Sequence, residues 1–147
     1  MKQKYERNNF KHKYTGEVKF SEVDSFSVVH NLAYLYWLEW ARTQYLFDIG
    51  LPKDDSIFSK HMPILTVRNE VDYYNSLHFT DRYIVLTKVE KVGDSSITFV
   101  NQVYNEKDVL ALEAKTILVY VDLQNETPIT IPKHIRKKIN DYEINGI

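Results

Sequence analysis

The chain has 147 residues, enough for one domain with a sizeable core. A hydrophobic share of 44% and a formal charge of -1 exclude a disordered polyelectrolyte. They also exclude a general binder of nucleic acid or acidic membrane, which would need a large positive field. Cysteine is absent, so disulfides, thiolate nucleophiles and zinc–thiolate centres are excluded as well.

In chain order, residues 1–13 are polar and basic and are expected to be loosely attached. The charged start Met1–Arg7 lacks the apolar core of a secretory signal, and no stretch approaches ~20 apolar residues. Neither a leader nor a membrane span is therefore expected, and the location expected is cytoplasmic. Thr15–Ser21 carries a faint alternation that predicts a short first strand. From Leu32 to Ile49 the apolar residues fall at 32, 35, 38, 41, 45, 46 and 49, a helical spacing. Asn31 is the expected N-cap, and Gly50-Leu51-Pro52 the stop. Tyr34, Tyr36, Trp37 and Trp40 fill the other faces, so the helix is expected to be wrapped by other structure.

Pro52–Pro63 reads as a loop rich in Lys, Asp and Ser. Beyond it the period becomes two. Leu65, Val67, Val71 and Tyr73 begin a series of strands that continues through Tyr83–Val92, Ile97–Tyr104 and Val109–Val121. Val92-Gly93-Asp94-Ser95 and Asn105-Glu106-Lys107-Asp108 supply the turns. Asn125–Pro132 closes the run, and Pro132 opens a short terminal helix over 132–142. Its basic stretch Lys133–Lys138 reads as a solvated face. One helix followed by consecutive strands predicts an α+β fold: a single domain over 1–147, with a long central helix wrapped by an antiparallel sheet.

The four glycines are scattered, which excludes a phosphate loop or dinucleotide fingerprint. The five histidines show no paired ligand spacing, so no metal is expected. One constellation does carry chemistry. Asp24 lies six and seven residues ahead of His30 and Asn31, where the helix begins. A helix start offers unpaired N–H groups and partial positive charge to a carbonyl oxygen. A carboxylate beside it can attack or deprotonate on behalf of a bound acyl group. Against this stands Asp as a plain turn residue and Asn31 as a plain cap.

The run Asp24-x-x-x-Val28-Val29-His30-Asn31-x-x-Tyr34-x-x-Trp37-x-Glu39-x-Ala41-Arg42 resembles the signature of hotdog-fold acyl-CoA thioesterases, in particular the 4-hydroxybenzoyl-CoA thioesterase-like branch. Thr116–Asp122 and Ile131-Pro132 look like that family's last strand and tail, so the likeness spans roughly 15–138. The resemblance implies a helix inside a five- or six-stranded antiparallel sheet, pairing into dimers and often tetramers with sites at the dimer interface. It also implies Asp24 as nucleophile or general base, with Asn31 and Leu32 amides on the thioester oxygen. Thr66 would contribute from the partner subunit. His30 is read as bonding the substrate or positioning Asp24, against the equal alternative of a histidine packed beside the helix entry.

Two positions depart from the family pattern: Ser27 stands where members usually carry glycine, and Asn31 where many carry histidine. Glu39 and Arg42 read as a structural ion pair, the helix aromatics as packing, and Lys88 and Lys91 as solvated lysines. The function expected is hydrolysis of an acyl-CoA or acyl-carrier-protein thioester, with no resident cofactor. The rival is a non-catalytic acyl-CoA or acyl-carrier binding protein of the same fold. A hotdog hydratase ranks last, because its Asp-x-x-x-x-His spacing from Asp24 falls on Val29.

Overall fold

In the computed structural model, which describes residues 3–145, the period-two segments form strands and the helical segment a helix. In order, the elements are β1 (His12–Glu17), α1 (Asn31–Asp48), β2 (Ile64–Tyr73), β3 (Arg82–Val92), β4 (Ser96–Asn105), β5 (Leu110–Asp122), β6 (Thr127–Pro128) and α2 (Lys133–Asn145). The sheet runs β1-β3-β4-β5-β2, with β6 beside β5. Every pairing is antiparallel. Register shifts at Val89/Lys91 and Thr66/Arg68 mark irregularities of the kind that bend a strand, and the sheet curls over α1.

The inner face of the sheet meets α1 in two clusters. Ala33, Trp37, Leu38 and Ala41 pack on Val85, Val103 and Leu112. Farther along, Tyr45 and Leu46 pack on Phe99 and Leu118, joined by Ile135 and Ile139 of α2. Each buried Val, Leu, Ile or Phe side chain contributes about 1.5–3 kcal/mol when removed from water. Trp37 stacks on Tyr83 at 3.8 Å between ring centres. The helix ends because Gly50 takes φ 107, letting Gly50 N–H reach the Phe47 carbonyl at 3.0 Å and Leu51 N–H the Leu46 carbonyl at 3.1 Å. That pair of bonds satisfies the last open carbonyls.

Several expectations are corrected. The helix is capped by His30, not Asn31: His30 Nδ1 accepts from Ala33 N–H at 3.1 Å, and Asn31 is the first helical residue. Nor is α1 wrapped all round, for Tyr36 (69% exposed) and Trp40 (48%) face outward. The first strand starts earlier than its alternation suggested, and the loop after α1 holds a single wide turn of helix at Ile57–His61. α2 continues to Asn145, past residue 142.

The amino-terminal arm is packed rather than loose over residues 3–13; residues 1 and 2 lie outside the described residues. Phe10 is buried against Leu86, Val100 and Tyr104 on the outer face of the sheet. This is why β4 is buried on both of its faces.

Candidate active site

A small hairpin leads into α1. Val23 pairs with Val29, Asp24 N–H donates to the Val28 carbonyl at 2.9 Å, and His30 N–H donates to the Glu22 carbonyl at 3.0 Å. Glu22 ties this hairpin to the core. One carboxylate oxygen accepts Trp37 Nε1–H at 2.6 Å and the other accepts Lys19 N–H at 2.8 Å. The far side of the hairpin pairs with the segment 77–79: Val29 N–H donates to the Leu77 carbonyl at 2.9 Å, and Phe79 N–H to the Ser27 carbonyl at 3.0 Å. Six residues of chain are thereby folded back so that Asp24 and the helix start share one short ribbon, whose two sides are about 5 Å apart.

Within the ribbon Asp24 has two tasks divided between its oxygens. Oδ1 accepts from Phe26 N–H at 2.8 Å and from Val28 N–H at 3.2 Å. This is the local turn role of aspartate. Oδ2 has no hydrogen bond among the described residues, and Asp24 is exposed. The side chain is therefore held by one oxygen and presents the other. Ser27, at the tip, has φ 62. The sequence's departure from glycine thus falls on a left-handed position, where a side chain costs about 1–2 kcal/mol.

His30 uses its ring as an acceptor for Ala33 N–H, which leaves Nε2 as the protonated nitrogen of the neutral ring. Since the cap takes the third amide of the helix, the amides of Asn31 and Leu32 are left without an acceptor among the described residues. These are the two donors the sequence points to. The Asn31 side chain does not consume them, because the capping role has moved to His30.

A cavity of about 540 Å³ opens at this helix start. Val29, Asn31 and Tyr34 form one wall, and Tyr73, Tyr74, Asn75 and Ser76, at and beyond the end of β2, form the other. Asp24 stands outside that lining, on the neighbouring hairpin. Tyr34 is pinned there: its hydroxyl oxygen accepts Leu77 N–H at 3.2 Å, and its ring meets Tyr73 edge-on at 5.7 Å. Burial pushes the Tyr34 phenol above its ordinary pKa, against the Leu77 amide, which pulls it down. The phenol remains neutral and able to donate.

Thr66 is not brought to this cavity within one chain. It lies at a second cavity of about 220 Å³ beside the middle of α1, with Glu39, Arg42, Thr43 and Phe58. Glu39 and Arg42 share that cavity without forming a close ion pair among the described residues. Burial lowers the Arg42 guanidinium to about 10, and the Glu39 charge opposes the shift. Sequence reasoning missed the wall from Tyr73 to Ser76. Those residues carry no motif and reach the helix start only through the antiparallel run of β2. Among the described residues no group of three His, Cys, Asp or Glu side chains is placed to hold a metal ion.

A helix cradled in a curled antiparallel sheet is the hotdog architecture, and a carboxylate and two free amides at the helix entry suit a thioester-cleaving enzyme built on it. The sequence pattern of the thioesterase-like superfamily matches residues 18–139, and the chain belongs to that family. It is 26% identical over 120 residues to the acyl-CoA thioesterase YbgC of Haemophilus influenzae, covering 81% of this chain and 87% of that one. A thioesterase from Thermus thermophilus, solved with coenzyme A and zinc, superposes with a TM-score of 0.79 at 24% identity, over 92% of this chain and 96% of the other. The 1,4-dihydroxy-2-naphthoyl-CoA thioesterase of Synechocystis superposes with a TM-score of 0.79 at 19% identity, over 88% and 96%.

Proposed function

We propose that the protein hydrolyses acyl-CoA or acyl-carrier-protein thioesters, releasing a free acid and a thiol, with Asp24 as the reacting carboxylate. The observation that carries this reading is the division of labour in Asp24: Oδ1 is fixed by two amides, and Oδ2 is without a hydrogen bond among the described residues, on the hairpin that leads into a helix start with two open N–H groups. The thioester oxygen sits on the Asn31 and Leu32 amides, which hold the negative charge that develops as the carbonyl carbon becomes tetrahedral. A single donor of this kind is worth about 2.7–4 kcal/mol of barrier in a well-studied protease. Asp24 Oδ2 either adds to the acyl carbon, giving a mixed anhydride that water then opens, or takes a proton from the water that adds. In the first case the C–S bond breaks with the sulfur leaving as thiolate, which takes a proton released when water opens the anhydride; in the second the proton held by Asp24 passes to the departing sulfur, and a thiol is freed. His30 Nε2–H and Asn31 border the substrate. The reading asks for no resident metal or cofactor; coenzyme A enters as part of the substrate.

The same proposal includes a homodimer, and tetramers built from it. β2 is an edge strand carrying exposed Leu65 and Val67, and the outward face of α1 carries Tyr36 and Trp40. An unpaired edge beside apolar side chains is suited to a second copy of the chain. Pairing there would let Thr66 of one copy serve the site of the other. Among the described residues no helix is long and apolar enough to cross a membrane. A cytoplasmic location belongs to the proposal and accords with an acyl-CoA substrate.

The decisive experiment is Asp24→Asn, assayed by thiol release from a panel of acyl-CoAs. Turnover is expected to fall by roughly 10²–10⁴-fold, the range for a lost catalytic acid or base. Undiminished turnover in a folded variant would defeat the assignment. A wild-type protein that binds acyl-CoA and frees no thiol would establish the rival, a binding protein.

A further inference from the structure

The family match begins at residue 18, yet the arm ahead of it is bonded to the sheet in an unusual way. Glu113, on the outer face of β5, is only 2% exposed. Its carboxylate accepts Lys4 N–H at 2.7 Å and Tyr5 N–H at 3.2 Å. Gln102 Nε2 donates both to Glu113 at 2.8 Å and to the Tyr5 carbonyl at 2.8 Å. Burying a carboxylate with no cation against it is costly unless several donors meet it. Here two of the donors are consecutive main-chain amides of the arm. With Gln102 Nε2 as the third, a fourth is the Tyr74 hydroxyl at 3.5 Å, and Tyr74 belongs to the cavity wall facing Asn31. One strand over, the Lys4 ammonium meets Asp72 at 3.2 Å, one residue before that wall begins. Merely covering the apolar outer face would not require this carboxylate, since Phe10 already does so.

We propose that Lys4 and Tyr5 are positioning residues for the substrate. Through Glu113 and Asp72 they fix the Tyr73–Ser76 wall of the cavity at the start of α1. This rests on the thioester reading of that cavity. The wall leaves β2 at an exposed edge and is tied to β5 by Tyr74 N–H and Asn75 N–H, which donate to the Ala111 carbonyl at 2.8 and 3.3 Å, and by Asn75 Nδ2, which donates to the Leu110 carbonyl at 2.7 Å. These bonds all lie on the side of β5. The arm adds further fixed points from across the outer face. Its effect is on binding: it holds a wall that the acyl group or pantetheine arm touches, and Lys4 and Tyr5 make their bonds to Glu113, Gln102, Glu90 and Asp72, none of which acts on the carbonyl.

The test compares the full chain with a form lacking residues 1–5 and with Lys4→Ala, which removes only the Asp72 contact. Thiol release from an acyl-CoA gives KM and kcat, and hydrogen exchange reports the amides of residues 73–76. In the shortened chain KM is expected to rise on the order of tenfold, the effect of losing hydrogen bonds to a charged group. In the same variant kcat should stay within about twofold, as fits a loss of binding common to ground and transition states. Exchange at 73–76 is expected to accelerate, with Lys4→Ala shifting both readouts in the same direction by less. Unchanged KM, or unchanged exchange at 73–76, overturns the proposal however far the melting temperature falls. If the shortened chain does not fold, Glu113→Gln, which offers a donor where the arm's amides need an acceptor, is read in the same way beside Lys4→Ala. Absence of thiol release from the wild-type chain would sink the hydrolase reading alone. Exchange and calorimetric affinity for coenzyme A would then judge the arm.

Discussion

Ser27 shows how one residue joins stability to the site. Its φ of 62 is a conformation that only glycine adopts freely, and the strained turn it makes is the one whose amides hold Asp24 Oδ1. Ser27→Gly is expected to stabilise the fold by about 1 kcal/mol, less the entropy glycine adds to the unfolded chain. In a domain of this size that corresponds to a rise in melting temperature of roughly 2–4 °C, measurable by calorimetry, with turnover retained. A fall in melting temperature would show that the serine makes a contact outweighing its backbone strain. The catalytic and the plain readings of Asp24 turn out to be compatible, because a carboxylate has two oxygens and the turn uses one. The sequence distinguished Asp24 by its spacing from the helix start, but it misplaced the cap. His30 and Asn31 are both able to cap, and the choice between them depends on where the chain turns upward into the helix.

At the scale of elements, a half-buried carboxylate joins α2 to α1 and β3 beside the apolar contacts of Ile135 and Ile139. The Tyr45 hydroxyl donates to Glu143 at 2.8 Å and Val89 N–H donates to it at 3.3 Å. Burial raises the Glu143 pKa above 4.5, opposed by those hydrogen bonds and by Lys11 and Lys88. A raised folded-state pKa means that the native chain holds this proton where the unfolded chain has lost it. The associated stability is complete below about 4.5 and disappears as the pH climbs through the higher folded value. Glu143→Gln is therefore expected to flatten the decline in stability between pH 4.5 and neutrality, read by denaturant titration at several pH values. An unchanged slope would show that Glu143 is not its source. The strands β3 to β5 were legible because their side chains alternate between α1 and the outer face; β2 was legible by its period alone, for Leu65 and Val67 are exposed and the register shifts at Thr66/Arg68. β1 was legible only in part: His12 is polar in sequence but buried in the fold, where Nε2 meets Asp48 at 2.7 Å, and period alone cannot reveal a pair 36 residues apart.

For the whole molecule, the outward face of α1 sets the expectation. Trp40 and Tyr36 sit on an outward face of α1, and β2 is a free edge of the sheet. In the proposed dimer this face is covered. Trp40→Glu would place a charge in a desolvated contact and is expected to halve the apparent mass in light scattering and to lower thiol release with it. A wild-type chain that is already monomeric, or a variant of unchanged mass, would remove the dimer from the account. From the sequence alone came the class of fold, the span of the long helix and the candidate carboxylate, because periodicity and short-range spacing are local properties of a chain. Only the tertiary structure decided that His30 caps, that the arm lies bonded across the outer face, and that residues 73–76 face Asn31. Each of those depends on which distant strands meet, and that is settled by burying side chains in a common core, which no single segment encodes.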